Sequence, residues 1–147
     1  MQLVYLCDME LVYREESLYG DTFILVRPYG SEEGTGYGEG DGTVTGSKLS
    51  GKVRWVNHPH RRSDVVMMPD IDGVIQTEDG AHILFSKQGR TFPTQDKKRR
   101  MILQATFEAE DERYVWLNNT FCLFEGVIDL TTGHVQGRIF ACEYDFI

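Results

Sequence analysis

The chain has 147 residues, 41% of them hydrophobic and 26% charged, and a net charge of −8. This balance fits a single globular domain over residues 1–147 and excludes a disordered chain. The acidic surplus argues against a nucleic-acid partner, and no apolar run approaches the roughly 18 residues of a membrane span.

The first segment, Met1 to Asp8, lacks the basic region and small-residue cleavage site of a secretory leader, so a cytoplasmic protein is expected. Cys7, Cys122 and Cys142 are odd in number and sit among apolar neighbours, the usage of reduced core thiols. Leu3 to Tyr13 is rich in β-branched, aromatic and aliphatic residues and reads as a strand, and Thr22 to Arg27 reads as a second. From Gly34 to Gly42 every even position is glycine. If that segment is extended, one face carries no side chains and the other presents Thr35, Tyr37, Glu39 and Asp41. A bare strand face suits close approach of a ligand, another strand or a barrel bend.

Lys52 to Asn57 follows a Ser50-Gly51 turn signal. Val65 to Met68 and Val74 to Thr77 bracket a turn-like Pro69 to Gly73, and Glu78-Asp79-Gly80 is a hairpin signal into Ala81 to Phe85. Gly89 to Arg100 reads as a polar loop with a basic run, and Ile102 to Ala109 as a strand. Glu110 to Asn118 suits a short helix or a structured corner. Phe121 to Leu130 and Val135 to Tyr144 form a last hairpin. Strands at roughly ten-residue spacing with little helix predict an all-β fold, a single compact antiparallel β-barrel. Phe121, Leu123 and Val127 alternate with Cys122, Phe124 and Ile128, so this strand is apolar on both faces. That pattern predicts something packed outside the barrel, and a homodimer is expected.

Familiar cofactor motifs fail. No register of the glycine stretch fits GxGxxG. Gly46 to Lys52 matches the start of a P-loop, but Val53 stands where a magnesium-binding hydroxyl belongs, and the residues after it read as strand. His58 and His60, followed by Asp64, have the spacing of metal ligands on one strand face. Pro59 breaks that strand, and a solvated loop is the reading preferred, with no metal and no cofactor expected. Lys97 to Arg100 has no interleaved aromatics and reads as a solvated loop.

Carboxylates offer better leads. Glu125 shares a strand face with Leu123 and Val127, and Glu39 and Asp41 share one with Tyr37. A carboxylate on an apolar face must be paired, hydrogen-bonded or protonated, and burial moves it toward acid/base duty at neutral pH. Glu39, Asp41 and Glu125 are therefore candidate catalytic groups, with Arg54 as partner or oxyanion donor. Tyr37, Gly38, Gly40, Trp55, Asp64, Tyr114 and Trp116 are candidate substrate contacts. Each also has a plain structural or surface reading.

Three stretches carry a family resemblance: Gly38-Glu39-Gly40-Asp41-Gly42 with Gly46 and Leu49-Ser50-Gly51, then Gln76-Thr77-Glu78-Asp79-Gly80-Ala81, then Arg113-Tyr114-Val115-Trp116-Leu117-Asn118. Over Asp8 to Tyr144 the chain resembles the family known as domain of unknown function 3237, the UPF0311 group. The resemblance implies a compact antiparallel barrel that commonly associates in pairs, and it carries no established activity. Small barrels such as allene oxide cyclases and dirigent proteins guide cyclisation or coupling of hydrophobic molecules, by analogy of fold alone. The expected function is a cofactor-independent enzyme acting on a small hydrophobic or aromatic, oxygen-bearing molecule held in the barrel, by isomerisation, cyclisation, elimination or hydration. The alternatives are a lipocalin-like carrier of such a ligand, with its carboxylates pointing outward, or a structural barrel with a filled interior.

Overall fold

The structure, a computed structural model, describes residues 1–14 and 24–145. In chain order the strands are β1 (Gln2–Tyr13), β2 (Ile24–Val26), β3 (Gly34–Thr45), β4 (Gly51–Asn57), β5 (His60–Arg61), β6 (Met67–Met68), β7 (Asp70–Thr77), β8 (His82–Pro93), β9 (Lys98–Ala109), β10 (Cys122–Asp129) and β11 (His134–Glu143). The eight long ones pair antiparallel in the cycle β1-β11-β10-β9-β8-β7-β4-β3, and the β1–β3 pairing closes the barrel. Short strands β2, β5 and β6 add to the outside of one end. A single 3₁₀ turn, Val115–Asn119, takes the place of the expected short helix.

Three boundaries differ from the sequence reading. Pro69 to Gly73 is not a turn, because β7 begins at Asp70 and pairs through Ile71 with both β4 and β8. Most of the supposed polar loop Gly89 to Arg100 is strand, since β8 runs to Pro93 and β9 starts at Lys98. Arg90, Lys98 and Arg100 lie on the wet face of the barrel wall, so much of the polarity here marks the outside of a strand, and Arg99, of the opposite parity, lies at the barrel's end. The expected strand at Thr22 to Arg27 is seen as Ile24–Val26, and Thr22 and Phe23 lie outside the described residues.

The interior comes from alternation. Cys7, Met9 and Leu11 of β1, Ile83 and Phe85 of β8, Leu103 and Ala105 of β9, and Phe124 and Ile139 of β10 and β11 all point inward and are buried. The glycine strand turns its bare face inward too, while Tyr37 and Asp41 are exposed. The indole of Trp55 fills the room the glycines leave. It stands edge-on to Tyr13 at 4.6 Å between ring centroids, and its Nε1 donates to the Asp41 carbonyl at 2.9 Å. A Cβ at Gly40 would lie 2.6 Å from the Trp55 ring and closer still to the Val12 carbonyl oxygen. Burying an indole contributes about 4–6 kcal/mol, so this contact is a large item in a marginally stable fold.

Gly40→Val therefore destabilises the barrel by roughly 3 kcal/mol or more, whereas Thr43→Val on the wet face of the same strand changes stability by less than about 0.5 kcal/mol. Urea unfolding of both variants followed by Trp fluorescence measures the contrast, and equal effects would rule out Trp55 packing as the reason for the glycines.

Candidate functional site

The two ends of the barrel are built differently. At one end β4, β8 and β10 begin and β3 and β7 finish, and the stretches Leu49 to Gly51, Gln76 to Ala81 and Arg113 to Asn118 gather there, while Gly38 to Gly42 lies further along β3, opposite Val53 to Asn57. Thr77 Oγ1 donates to the Asp79 carboxylate and accepts from the Ala81 N–H. Tyr114 donates from its hydroxyl to the same carboxylate at 2.8 Å, and the Arg113 guanidinium stands 3.0 Å from it. These partners, the Thr77 hydroxyl first, hold Asp79 below its ordinary carboxylate range. Asn118 clamps the Ala109 backbone through both side-chain atoms, and buried Leu49 and Leu117 fill the opening. This end is a plug. Gly46 to Ser50 forms a turn closed by the Ser50 hydroxyl, and strand β4 follows it.

The opposite end is open. A cavity of about 380 Å³ lies at the mouth, among the described residues, where β1 ends and β9 begins. Its wall is largely apolar: Leu25, Pro59, Met67, Pro69, Met101, Ile128 and Leu130. Polar groups enter it at defined places. Asn57, itself buried, donates from Nδ2 to the Tyr13 hydroxyl at 3.0 Å and accepts the Asp70 N–H at Oδ1. Thr91 donates to the Met67 carbonyl. Arg61 and Arg99 line the cavity as well, with Arg61 held by the Glu32 carbonyl and carboxylate and Arg99 donating to the Val65 carbonyl. Val65 has φ of 63°, a left-handed conformation that a β-branched residue rarely adopts, so the rim loop holding this carbonyl is strained.

The groups singled out in the sequence do not converge on this cavity. Glu39 and Asp41 lie on the outer surface, where both pair with Arg14. Tyr37 lies beside them, with its hydroxyl on Glu39 and its ring against His58. Glu125 is exposed next to Arg138 across the β10–β11 ladder, and Arg54 is exposed opposite Asp41. Asp64 is held by Arg62 on the surface, which brings its carboxyl down to about 2. Tyr114 belongs to the plug, and Trp116 is partly exposed there with Lys48 5.9 Å from its ring centroid. Gly38, Gly40 and Trp55 face inward, and Trp55 occupies the space by Gly40 as core. His60 meets Thr35 and Glu33, and no cluster able to hold a metal forms among the described residues. The physical reason for the scatter is register. Strand alternation groups residues by face, and the shared face of Tyr37, Glu39 and Asp41 is the wet one.

Sequence reasoning missed Asn57, Tyr13 and Lys87. Asn57 ends a strand whose inward positions are Val53 and Trp55, and that parity was available in the sequence. Lys87 is among the largest fully buried side chains of the interior. Its Nζ stands 3.3 Å from the Met9 sulfur and 3.9 Å from the centroid of the Phe124 ring. Short neighbours make the room, for Lys87 pairs with Ala105, and Ala105 with Cys122. No carboxylate pairs with it among the described residues, and desolvation brings the amine down to about 7. The same dryness pushes the thiols of Cys7 and Cys122 up to about 12.

These features define a small antiparallel barrel with one end plugged and the other hollow. A family model described as a protein of unknown function, DUF3237, matches residues 27–142, and the chain belongs to that family. Solved structures share the fold. A β-barrel-like protein from Acinetobacter baumannii aligns with a TM-score of 0.80 at 16% identity, covering 97% of this chain and 96% of its own. A protein of unknown function from Clostridium acetobutylicum aligns at 0.81 and 16% identity, covering 97% and 100%. An enzyme from Penicillium herquei aligns at 0.71 and 18% identity, covering 95% and 93%. No curated protein matches the sequence at a significant level.

Lys87 sets a pH dependence. Its folded pKa lies below its ordinary 10.5, so between about 7 and 10.5 the unfolded chain holds a proton that the folded chain does not. Stability from this group rises with pH across that window and is at its lowest, and constant, below pH 7. Lys87→Met should gain roughly 3–5 kcal/mol relative to the parent at pH 6–7, a gain that shrinks toward pH 10. The two buried thiols contribute the opposite slope, so the readout is the difference between parent and variant in denaturant melts across that range. A pH-independent difference would show that Lys87 keeps its ordinary pKa.

Proposed function

We propose that the barrel binds a small, largely apolar or aromatic molecule bearing a hydrogen-bonding oxygen, seated in the mouth cavity with that oxygen toward Asn57 and Tyr13. The observation that carries this reading is the cavity itself: about 380 Å³, apolar in its wall, with a buried Asn–Tyr pair set into it. Sites for small ligands have this size and this sparse placement of polar groups. Asn57 is fixed by its bond to the Asp70 N–H, so its amide is oriented before a ligand arrives. The outward positions of Glu39, Asp41 and Glu125 favour binding over carboxylate acid/base chemistry, because a carboxylate on the wet face is separated from the ligand by the barrel wall.

A second reading, cofactor-free conversion of that ligand, draws support from the likeness to the Penicillium herquei enzyme and from the groups at the mouth. In it the Tyr13 hydroxyl and the two arginines would steady negative charge developing on the ligand oxygen, and the surface carboxylates would take no part.

Binding is measured with the apolar fluorophore N-phenylnaphthylamine. Filling the cavity by Ile128→Trp or Thr91→Phe should weaken its affinity by about tenfold or more, equivalent to about 1.4 kcal/mol, and Glu39→Gln should leave it within about twofold. Thermal melts establish that the variants fold. Absence of binding to the parent, or unchanged affinity in both filled variants, would overturn the reading.

A further inference from the structure

Lys87 does not line the mouth cavity, and its burial is costly. A methionine of similar length would fill the same sleeve of Met9, Phe124, Ala105 and Cys122 without an amine to desolvate. Among the described residues no carboxylate meets the amine, whose contacts are a thioether and an aromatic face. We propose that Lys87 is a nucleophilic amine that forms an imine with an aldehyde or ketone group on the ligand, a proposal that rests on the mouth cavity being the ligand site.

Between the cavity and Lys87 the inward positions of β8 and β10 are glycine. Along β8, inward positions run from Thr91 in the cavity wall to Gly89 and then Lys87, a descent of roughly 13 Å. Along β10 they run from Ile128 in the wall to Gly126 and then Phe124. The Phe124 ring occupies the space that side chains at Gly126 and Gly137 would take, since a Cβ at Gly126 would lie 2.7 Å from it and one at Gly137 nearer. The ring that Nζ faces therefore leans toward the mouth. The Phe124 ring and the unbranched, adaptable Met9 stand against the amine, Leu103 takes the room beside Gly89, and entry of a ligand head displaces them.

The setting also selects the ligand class. A carboxylate would have to leave water to reach Nζ, and an ion pair in this apolar sleeve would carry two desolvation costs. A carbonyl compound enters uncharged. The neutral amine adds its lone pair to the carbonyl carbon, and one amine proton passes to the carbonyl oxygen to give a carbinolamine. Loss of that hydroxyl with the second amine proton releases one water and leaves the C=N bond, with nothing oxidised or reduced. Burial that holds the amine near neutrality at pH 7 keeps it competent, which solvated lysines are not.

The test is reductive trapping. The full chain is incubated at pH 7 with cinnamaldehyde and cyanoborohydride, which reduces an imine to a stable secondary amine, and labelled peptides are mapped by mass spectrometry. Lys87 should be labelled about tenfold or more above each of Lys48, Lys52, Lys97 and Lys98, and N-phenylnaphthylamine should compete. Lys87→Met and Lys87→Arg should lose that label and still bind the fluorophore. Label confined to the other lysines, in a chain that binds the fluorophore, overturns the imine proposal alone. A chain that fails to bind the fluorophore at all overturns the cavity reading and this proposal with it.

Discussion

The packing of Trp55 across the bare face of β3 is the contact on which the rest of the barrel depends. Closure requires β1 and β3 to meet, and they pair from Asp8 opposite Thr45 to Tyr13 opposite Gly40. Side chains at Gly40 and Gly42 would strike the β1 backbone, so glycine permits the approach, but it leaves a groove in the interior. An indole from the neighbouring strand fills the groove and anchors itself by donating to the Asp41 carbonyl of the glycine strand. Its edge-on partner Tyr13 then has its hydroxyl placed at the mouth, in reach of Asn57. One packing solution thus closes the barrel and sets the polar pair of the cavity.

From that contact the two ends diverge. Toward the plug, hydrogen bonds among Thr77, Asp79, Tyr114 and Arg113 fix the loops, and Leu49 and Leu117 leave no space. Toward the mouth, side chains are apolar but do not meet, and short strands β2, β5 and β6 build a rim around the gap. Asymmetry of this kind gives a small barrel one half held by hydrogen bonds and filled, and one half left hollow behind an apolar wall. Two of the three family-like stretches, Gln76 to Ala81 and Arg113 to Asn118, sit in the plugged half, which is why a shared fold is readable from them and a shared ligand is not.

Lys87 joins these halves. It stands between the filled core and the hollow, in a layer whose inward positions include Gly89, Gly126 and Gly137. A buried amine there costs desolvation that a methionine would not.

The strand pattern, the closed all-β architecture and the family were legible in the sequence, because alternation and turn chemistry are local properties of the chain. The glycine alternation announced a bare strand face, and Ser50-Gly51 and Asp79-Gly80 announced turns. The expected site was not legible in the same way. Tyr37, Glu39 and Asp41 could be placed on one face, but nothing local says whether that face is wet or dry, since the answer depends on which side Trp55 of another strand occupies. Tyr13, Asn57, Met101 and Ile128 lie far apart in sequence and share the mouth only after eight strands pair in register. Lys87 reads as one more basic residue in a strand until β1 and β10 bring Met9 and Phe124 over it. Local chemistry determined the elements, and only closure of the barrel decided which side chains share an interior.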